Sequence, residues 1–192
     1  MGNQNFEVIY IIGVLVASAI RKYYLKGMSQ KEKLDTLKGP DGPIMILATI
    51  TMFILPLIYL VSTKLDFANY NIPLGVGWFG APTFSIAILV LWRSHKDLGK
   101  NFSLTTNTKE KQNLVTTGVY KKIRHPMYTA HLIWAIAQAM LLQNWIAGPT
   151  FLITNLLLYM RRIPREEEMM IKEFGNEYRN YMEQTGRLLP KL

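Results

Sequence analysis

The 192-residue chain has no cysteine. That excludes disulfides, thiolate zinc sites, iron–sulfur clusters and a cysteine nucleophile. Histidine is scarce, with only His95, His125 and His131, and no helical ligand spacing links them. No metal site is therefore expected. The chain also lacks a Gly-x-Ser-x-Gly elbow, a phosphate-binding P-loop and a Gly-x-Gly-x-x-Gly turn. Acidic residues are few, 13 against 22 Lys+Arg, for a net charge of +9. Such an excess ordinarily points to nucleic acid or to an anionic membrane surface.

Charge is also missing from long stretches. Phe6 to Ile20 carries only Glu7. Pro43 to Thr63 carries no charge over 21 residues, Asn69 to Trp92 none over 24, and Met127 to Met160 none over 34, with His131 inside it. A bilayer core about 30 Å thick takes about 20 apolar residues of helix. The 34-residue run is too long for one span. Gln143-Asn144 and Gly148-Pro149 interrupt it, which predicts a helical hairpin turning near Gln143 to Trp145. A water-exposed helix would show a polar face every 3.6 residues, and Met45 to Ser62 shows none. The first run has no basic leader and no small-residue cleavage site, so it reads as a retained span.

The expected fold class is all-α, a polytopic membrane protein with five transmembrane helices and a cytoplasmic cofactor-binding region. One domain covers 1–192. The spans are expected near 6–24, 43–63, 72–92, 127–143 and 145–161, with a C-terminal cytoplasmic helix near 165–183. Five spans put the basic residues of 21–42, 93–126 and 161–192 on one side, which is 21 of the 22; Lys64 is the exception. That side is cytoplasmic by the positive-inside rule, so the N-terminus is outside and the C-terminus inside. Topology thus accounts for the charge, and nucleic acid is not expected as a partner. Membrane lipids are.

Two clusters are suited to chemistry. The first runs from Tyr120 to Tyr128 and includes Arg124-His125-Pro126. Pro126 suits the first position of a helix. Its first-turn N–H groups can hold an anion, and the same residues equally suit a basic anchor in front of a span. His131 lies inside an apolar run, where ionisable groups usually face a cavity or bond a neighbouring helix. The second cluster is Arg161-Arg162-Ile163-Pro164-Arg165-Glu166-Glu167-Glu168. Arg162 and Glu166 share a helix face. Pro164 is expected to interrupt the helix, and the glutamates either form a solvated run or attract a cationic ligand.

Asn113-Leu114-Val115-Thr116-Thr117-Gly118-Val119-Tyr120, Arg124-His125-Pro126-Met127-Tyr128, Arg162 with Glu166–Glu168, and Glu173-Phe174-Gly175-Asn176-Glu177-Tyr178 occur in that order. The set resembles the isoprenylcysteine carboxyl methyltransferases over about residues 93–190, and the whole chain looks most like the short prokaryotic members. The family often has a histidine where this chain has Gln112. The resemblance implies S-adenosyl-L-methionine as methyl donor, with S-adenosyl-L-homocysteine as product. It implies cofactor contacts from Gln112, Asn113, Leu114, Val115, Tyr120, His125, Pro126, Met127, Tyr128 and Glu166, with His131 and Glu167 beside them. It gives Arg162 the acceptor carboxylate and makes Arg162 and Glu166 the catalytic pair. The implied partner is a lipophilic acceptor, such as a prenylated cysteine, entering from the bilayer. Two other readings remain at this level: a phospholipid amine N-methyltransferase and a non-enzymatic membrane protein.

Overall fold

A computed structural model describes residues 4–26, 37–99 and 113–191. These residues form six helices: α1 Gln4–Tyr24, α2 Gly42–Val61, α3 Leu74–Leu98, α4 Pro126–Leu142, α5 Thr150–Phe174 and α6 Asn176–Gln184. No strand forms among them; two isolated β-bridges tie loops together.

Helices α2 and α3 are long and apolar enough to cross a membrane, and only 28% of each apolar window is buried. The rest faces outward. Ile46, Leu57 and Val61 of α2 and Phe79, Ile86 and Leu89 of α3 are exposed, as are Val8, Ile12 and Leu15 of α1. Apolar surface on this scale is disfavoured in water and suits a hydrocarbon surround.

Small residues let the helices approach closely. Gly13 of α1 faces the ring of Phe84, Gly77 faces Phe6, and an added Cβ at Gly80 would lie 2.8 Å from Leu141 Cγ. Phe6, Tyr10, Phe84, Trp134 and Phe151 fill the space between α1, α3, α4 and α5. Phe84 lies 5.0 Å from Trp134, centroid to centroid.

Helix α2 contains a π-turn at Ile50–Ile54 followed by Pro56. The Leu55 N–H bonds the Ile50 carbonyl, which takes it away from Thr51, and Pro56 has no N–H for Met52. Both carbonyls are met from other helices. Gln138 Nε2 donates to Thr51 O at 3.0 Å and to Ala147 O at 2.6 Å. The Tyr10 hydroxyl sits 3.0 Å from Met52 O and 2.9 Å from Gln138 Oε1. Four elements therefore meet at one fully buried amide.

The hairpin forms, with a longer turn than expected. Helix α4 ends at Leu142, Gln143 is left-handed (φ 47°), and α5 starts at Thr150 rather than near 145. Asn144 explains the extra length. Its Oδ1 accepts the N–H groups of Ile146 and Ala147 at 3.0 and 2.9 Å, while Nδ2 donates to Leu65 O and Asn69 Oδ1 at 2.7 and 2.8 Å. The turn is thereby stitched to the loop between α2 and α3.

Pro164 does not interrupt its helix. Helix α5 runs through it to Phe174 and ends at Gly175 (φ 56°), so the expected helix over 165–183 is two pieces. Pro164 and Met160, whose carbonyl loses the bond, both lie on the exposed side, where the missing bond is least costly.

Candidate functional site

The segment before α4 is held by a later part of the chain. Arg124 N–H donates to Gly186 O at 2.9 Å, His125 N–H to Arg187 O at 3.0 Å, and Gly186 N–H to Lys122 O at 3.1 Å. Thr129 Oγ1 donates to Leu188 O at 2.6 Å. On the other side, Val119 N–H donates to Asp97 Oδ2 at 2.9 Å, and Gly118, at φ 62°, lies against that carboxylate. The Tyr181 hydroxyl donates to Tyr120 O at 2.6 Å. Burial pushes the Tyr120 phenol well above its ordinary range, so it stays protonated.

Glu167 is the electrostatic centre of this strap. It accepts Arg124 Nε at 3.0 Å and Arg187 Nη2 at 2.5 Å, with His125 Nε2 at 3.4 Å. Arg124 also donates to the carbonyls of Met182 and Thr185. Burial alone would raise the Glu167 carboxyl. Hydrogen bonds from His125, Arg187 and Arg124 outweigh it and hold the group at about 2. A carboxyl depressed on folding stabilises the protein above its unfolded value, and that stability is lost as pH falls toward the folded one. That window runs from the ordinary carboxylate value of 4.5 down to about 2. Melting temperature in detergent should therefore fall more steeply below pH 4.5 in the wild type than in E167Q; parallel curves would contradict this role.

Helix α5 places Glu166 on the neighbouring face, turned toward a cavity of ≈350 Å³. Glu166 Oε1 accepts Tyr128 Oη at 2.5 Å and Arg162 Nε at 2.7 Å. Its Oε2 lies 3.6 Å from His125 Nδ1. Tyr128 stacks between His125 and Tyr159, at 5.5 and 4.4 Å. The cavity they share is lined by the chain before α4 and by Met169 and Met170, and also by the apolar side chains of Ala48, Met52, Phe151 and Leu158.

Of the residues expected at the site, Asn113, Leu114, Val115, Tyr120, His125 and Pro126 all line this cavity. So do Met127, Tyr128, His131, Arg162 and Glu166. Glu167 does not. It points to the strap, where two arginines occupy it, and it leaves the expected cofactor set for that reason. Gln112 lies outside the described residues. The structure adds Arg21, Asn155 and Tyr159 to the wall. Arg21 closes an apolar run like any interfacial anchor, so its pattern in the sequence carries no sign of this placement.

The described fold is an α-helical bundle with membrane-length helices and a cavity between them. It matches the structure of a eukaryotic intramembrane Ras methyltransferase (isoprenylcysteine carboxyl methyltransferase) with a TM-score of 0.56 at 20% identity, over 85% of this chain and 54% of that one. At that identity the likeness is one of fold. The family model for isoprenylcysteine carboxyl methyltransferases matches residues 80–172. Protein-S-isoprenylcysteine O-methyltransferase A of Arabidopsis thaliana is 33% identical over 94 residues, 48% of each chain. The B protein of the same plant is 27% identical over 166 residues, 86% of this chain and 82% of that one. Over residues 80–172 the chain is similar to the isoprenylcysteine carboxyl methyltransferase family. It spans about half the length of the first curated relatives it matches. These relatives are eukaryotic and do not bear on the expected likeness to short prokaryotic members.

Proposed function

We propose that this protein methylates the carboxylate of a lipophilic acceptor, such as a prenylated cysteine, with S-adenosyl-L-methionine as donor. The observation that carries this reading is one cavity whose wall holds the Tyr128–Glu166–Arg162 group together with the apolar side chains of Ala48, Met52, Phe151 and Leu158. The residues present fit the donor. The cavity is in the range of small-molecule sites. Among the described residues the His125 ring lies beside Glu166 Oε2 at 3.6 Å, and this oxygen suits an ammonium donor. Tyrosine rings and methionine side chains suit a flat base. The residues proposed to hold it are Asn113, Leu114, Val115, Tyr120, His125, Pro126, Met127, Tyr128 and Glu166, with His131 deeper along the wall.

When bound, S-adenosyl-L-methionine supplies a methyl group on a positively charged sulfur. A carboxylate acceptor is already ionised at neutral pH, so it needs no base. It needs alignment, and holding it in line supplies much of the rate. Arg162 lines the cavity, its guanidinium fixed by Glu166 at 2.7 Å.

In this reading the chain crosses the bilayer five times, through α1, α2, α3, α4 and the first part of α5. The side holding 21 of 22 basic residues is cytoplasmic. The acceptor enters sideways, against the apolar lining of Ala48, Met52, Phe151 and Leu158. The test is transfer of labelled methyl to N-acetyl-S-farnesyl-cysteine in detergent. Label released as methanol by mild alkali is the expected result. No alkali-labile label, with S-adenosyl-L-homocysteine still bound, would reject this acceptor class.

A further inference from the structure

Charge balance in the cavity differs between its arginines. Arg124 is committed to Glu167 and to two carbonyls of the strap. Arg162 is compensated by Glu166 at 2.7 Å, and its Nη1 rests on Met45 Sδ at 3.1 Å. Arg21 is different. It ends α1, lines the same cavity, and its side chain meets His131 Nε2 at 3.4 Å. Among the described residues no carboxylate forms an ion pair with Arg21.

The histidine is oriented to support this cation. His131 Nδ1 lies 2.8 Å from the carbonyl of Met127, which can only accept, so Nδ1 carries the proton. Nε2 then has a free lone pair and accepts from Arg21. The histidine steers the guanidinium without neutralising it. Asn155 Nδ2 donates to the His131 carbonyl at 3.5 Å and fixes the same wall from α5.

Moving a carboxylate from water into a protein interior costs several kcal/mol unless a net opposite charge receives it. The Arg162–Glu166 pair is neutral as a unit. It can orient an anion but offers little net charge to attract one. On the proposed function above, we infer that Arg21, backed by His131, supplies the positive charge that admits the acceptor's carboxylate. Arg162 then aligns it. Arg21 is a specificity-determining residue that selects acids over neutral lipids of the same shape.

The test compares two probes, S-farnesyl-thiopropionic acid and its carboxamide, bound to the detergent-solubilised full chain; S-adenosyl-L-homocysteine affinity is measured beside them. The wild type should prefer the acid by about tenfold or more, which is about 1.4 kcal/mol. R21Q should lose that preference through weaker acid binding, with amide and S-adenosyl-L-homocysteine affinities held. R21K should keep most of it. R21M gives the same comparison should R21Q not fold. Retention of the acid preference in both neutral variants would overturn the inference. So would equal binding of acid and amide by a wild type that binds S-adenosyl-L-homocysteine. A wild type that binds neither S-adenosyl-L-homocysteine nor a farnesyl probe would instead overturn the methyltransferase reading, and the inference with it.

Discussion

E166Q should lower methyl transfer by about 100-fold or more, the equivalent of ~3 kcal/mol. The glutamine keeps the shape and loses the charge. Arg162 then faces a neutral oxygen at 2.7 Å, or an amide nitrogen that cannot accept its proton. Tyr128 loses a charged acceptor for its hydroxyl at 2.5 Å. Removing one partner of a buried pair typically costs ~3–5 kcal/mol, because the other charge is left uncompensated. Part of the loss should appear as weaker S-adenosyl-L-homocysteine binding, since the same carboxylate lines the cavity proposed to hold the donor. E166D tests the geometry, with the charge kept and the reach shortened by one methylene. Turnover of E166Q within a few-fold of wild type would remove Glu166 from the site's working parts.

Q138L should give the largest loss of stability among single substitutions in the bundle. The leucine matches in size but leaves the Thr51 and Ala147 carbonyls and the Tyr10 hydroxyl without their amide partner. A single interhelical hydrogen bond in a membrane protein averages only ~0.6 kcal/mol. Here one residue serves three groups, and all three lie inside the protein rather than against lipid. An orphaned buried acceptor costs ~1–3 kcal/mol, so the combined effect should be ~2–4 kcal/mol. For a chain of this size that lowers the melting temperature by about 4–16 °C. T51V at the neighbouring position should cost less. It removes the 2.8 Å contact with Thr154 Oγ1 but leaves the Thr51 carbonyl bonded to Gln138. A Q138L protein that melts with the wild type would show that the released carbonyls find other partners.

The sequence made the outline legible because apolar run length is a direct consequence of bilayer thickness. Helices α2 and α3 sit where the uncharged stretches lie, and the hairpin turns where Gln143-Asn144 interrupts the longest run. Pro126 begins α4 as its missing donor requires. Two features were not legible. Pro164 was expected to interrupt a helix, yet what decides that is which side of the helix it falls on, a matter of packing. Gln138 lies in an apolar run and reads as an ordinary helical residue. Its role depends on carbonyls released 87 residues earlier by a π-turn, which nothing local to Gln138 records. At the site, Arg162 and Glu166 were legible as a four-residue pair. Arg21 was not, because any arginine closing a span looks the same. The difference between Glu166 and Glu167 is one step of helix rotation, and only the arginines around Glu167 show that it faces the strap.

The strap sets an order of events during synthesis. The segment 122–125, of which Arg124 and His125 line the cavity, is bonded by residues 185–187, and Arg124 meets Thr185 across a separation of 61 residues. Translation proceeds at ~5–20 residues per second, so this wall waits several seconds for its other half to emerge. Glu167 is made 18 residues before Thr185, so for the last part of that interval Arg124 and His125 have its carboxylate but not the strap backbone. A nascent chain stopped before residue 185 therefore carries every residue proposed to hold the donor but lacks the strap that fastens them. Its capacity to bind S-adenosyl-L-homocysteine should arise late in translation, as the strap closes, rather than as each helix is made.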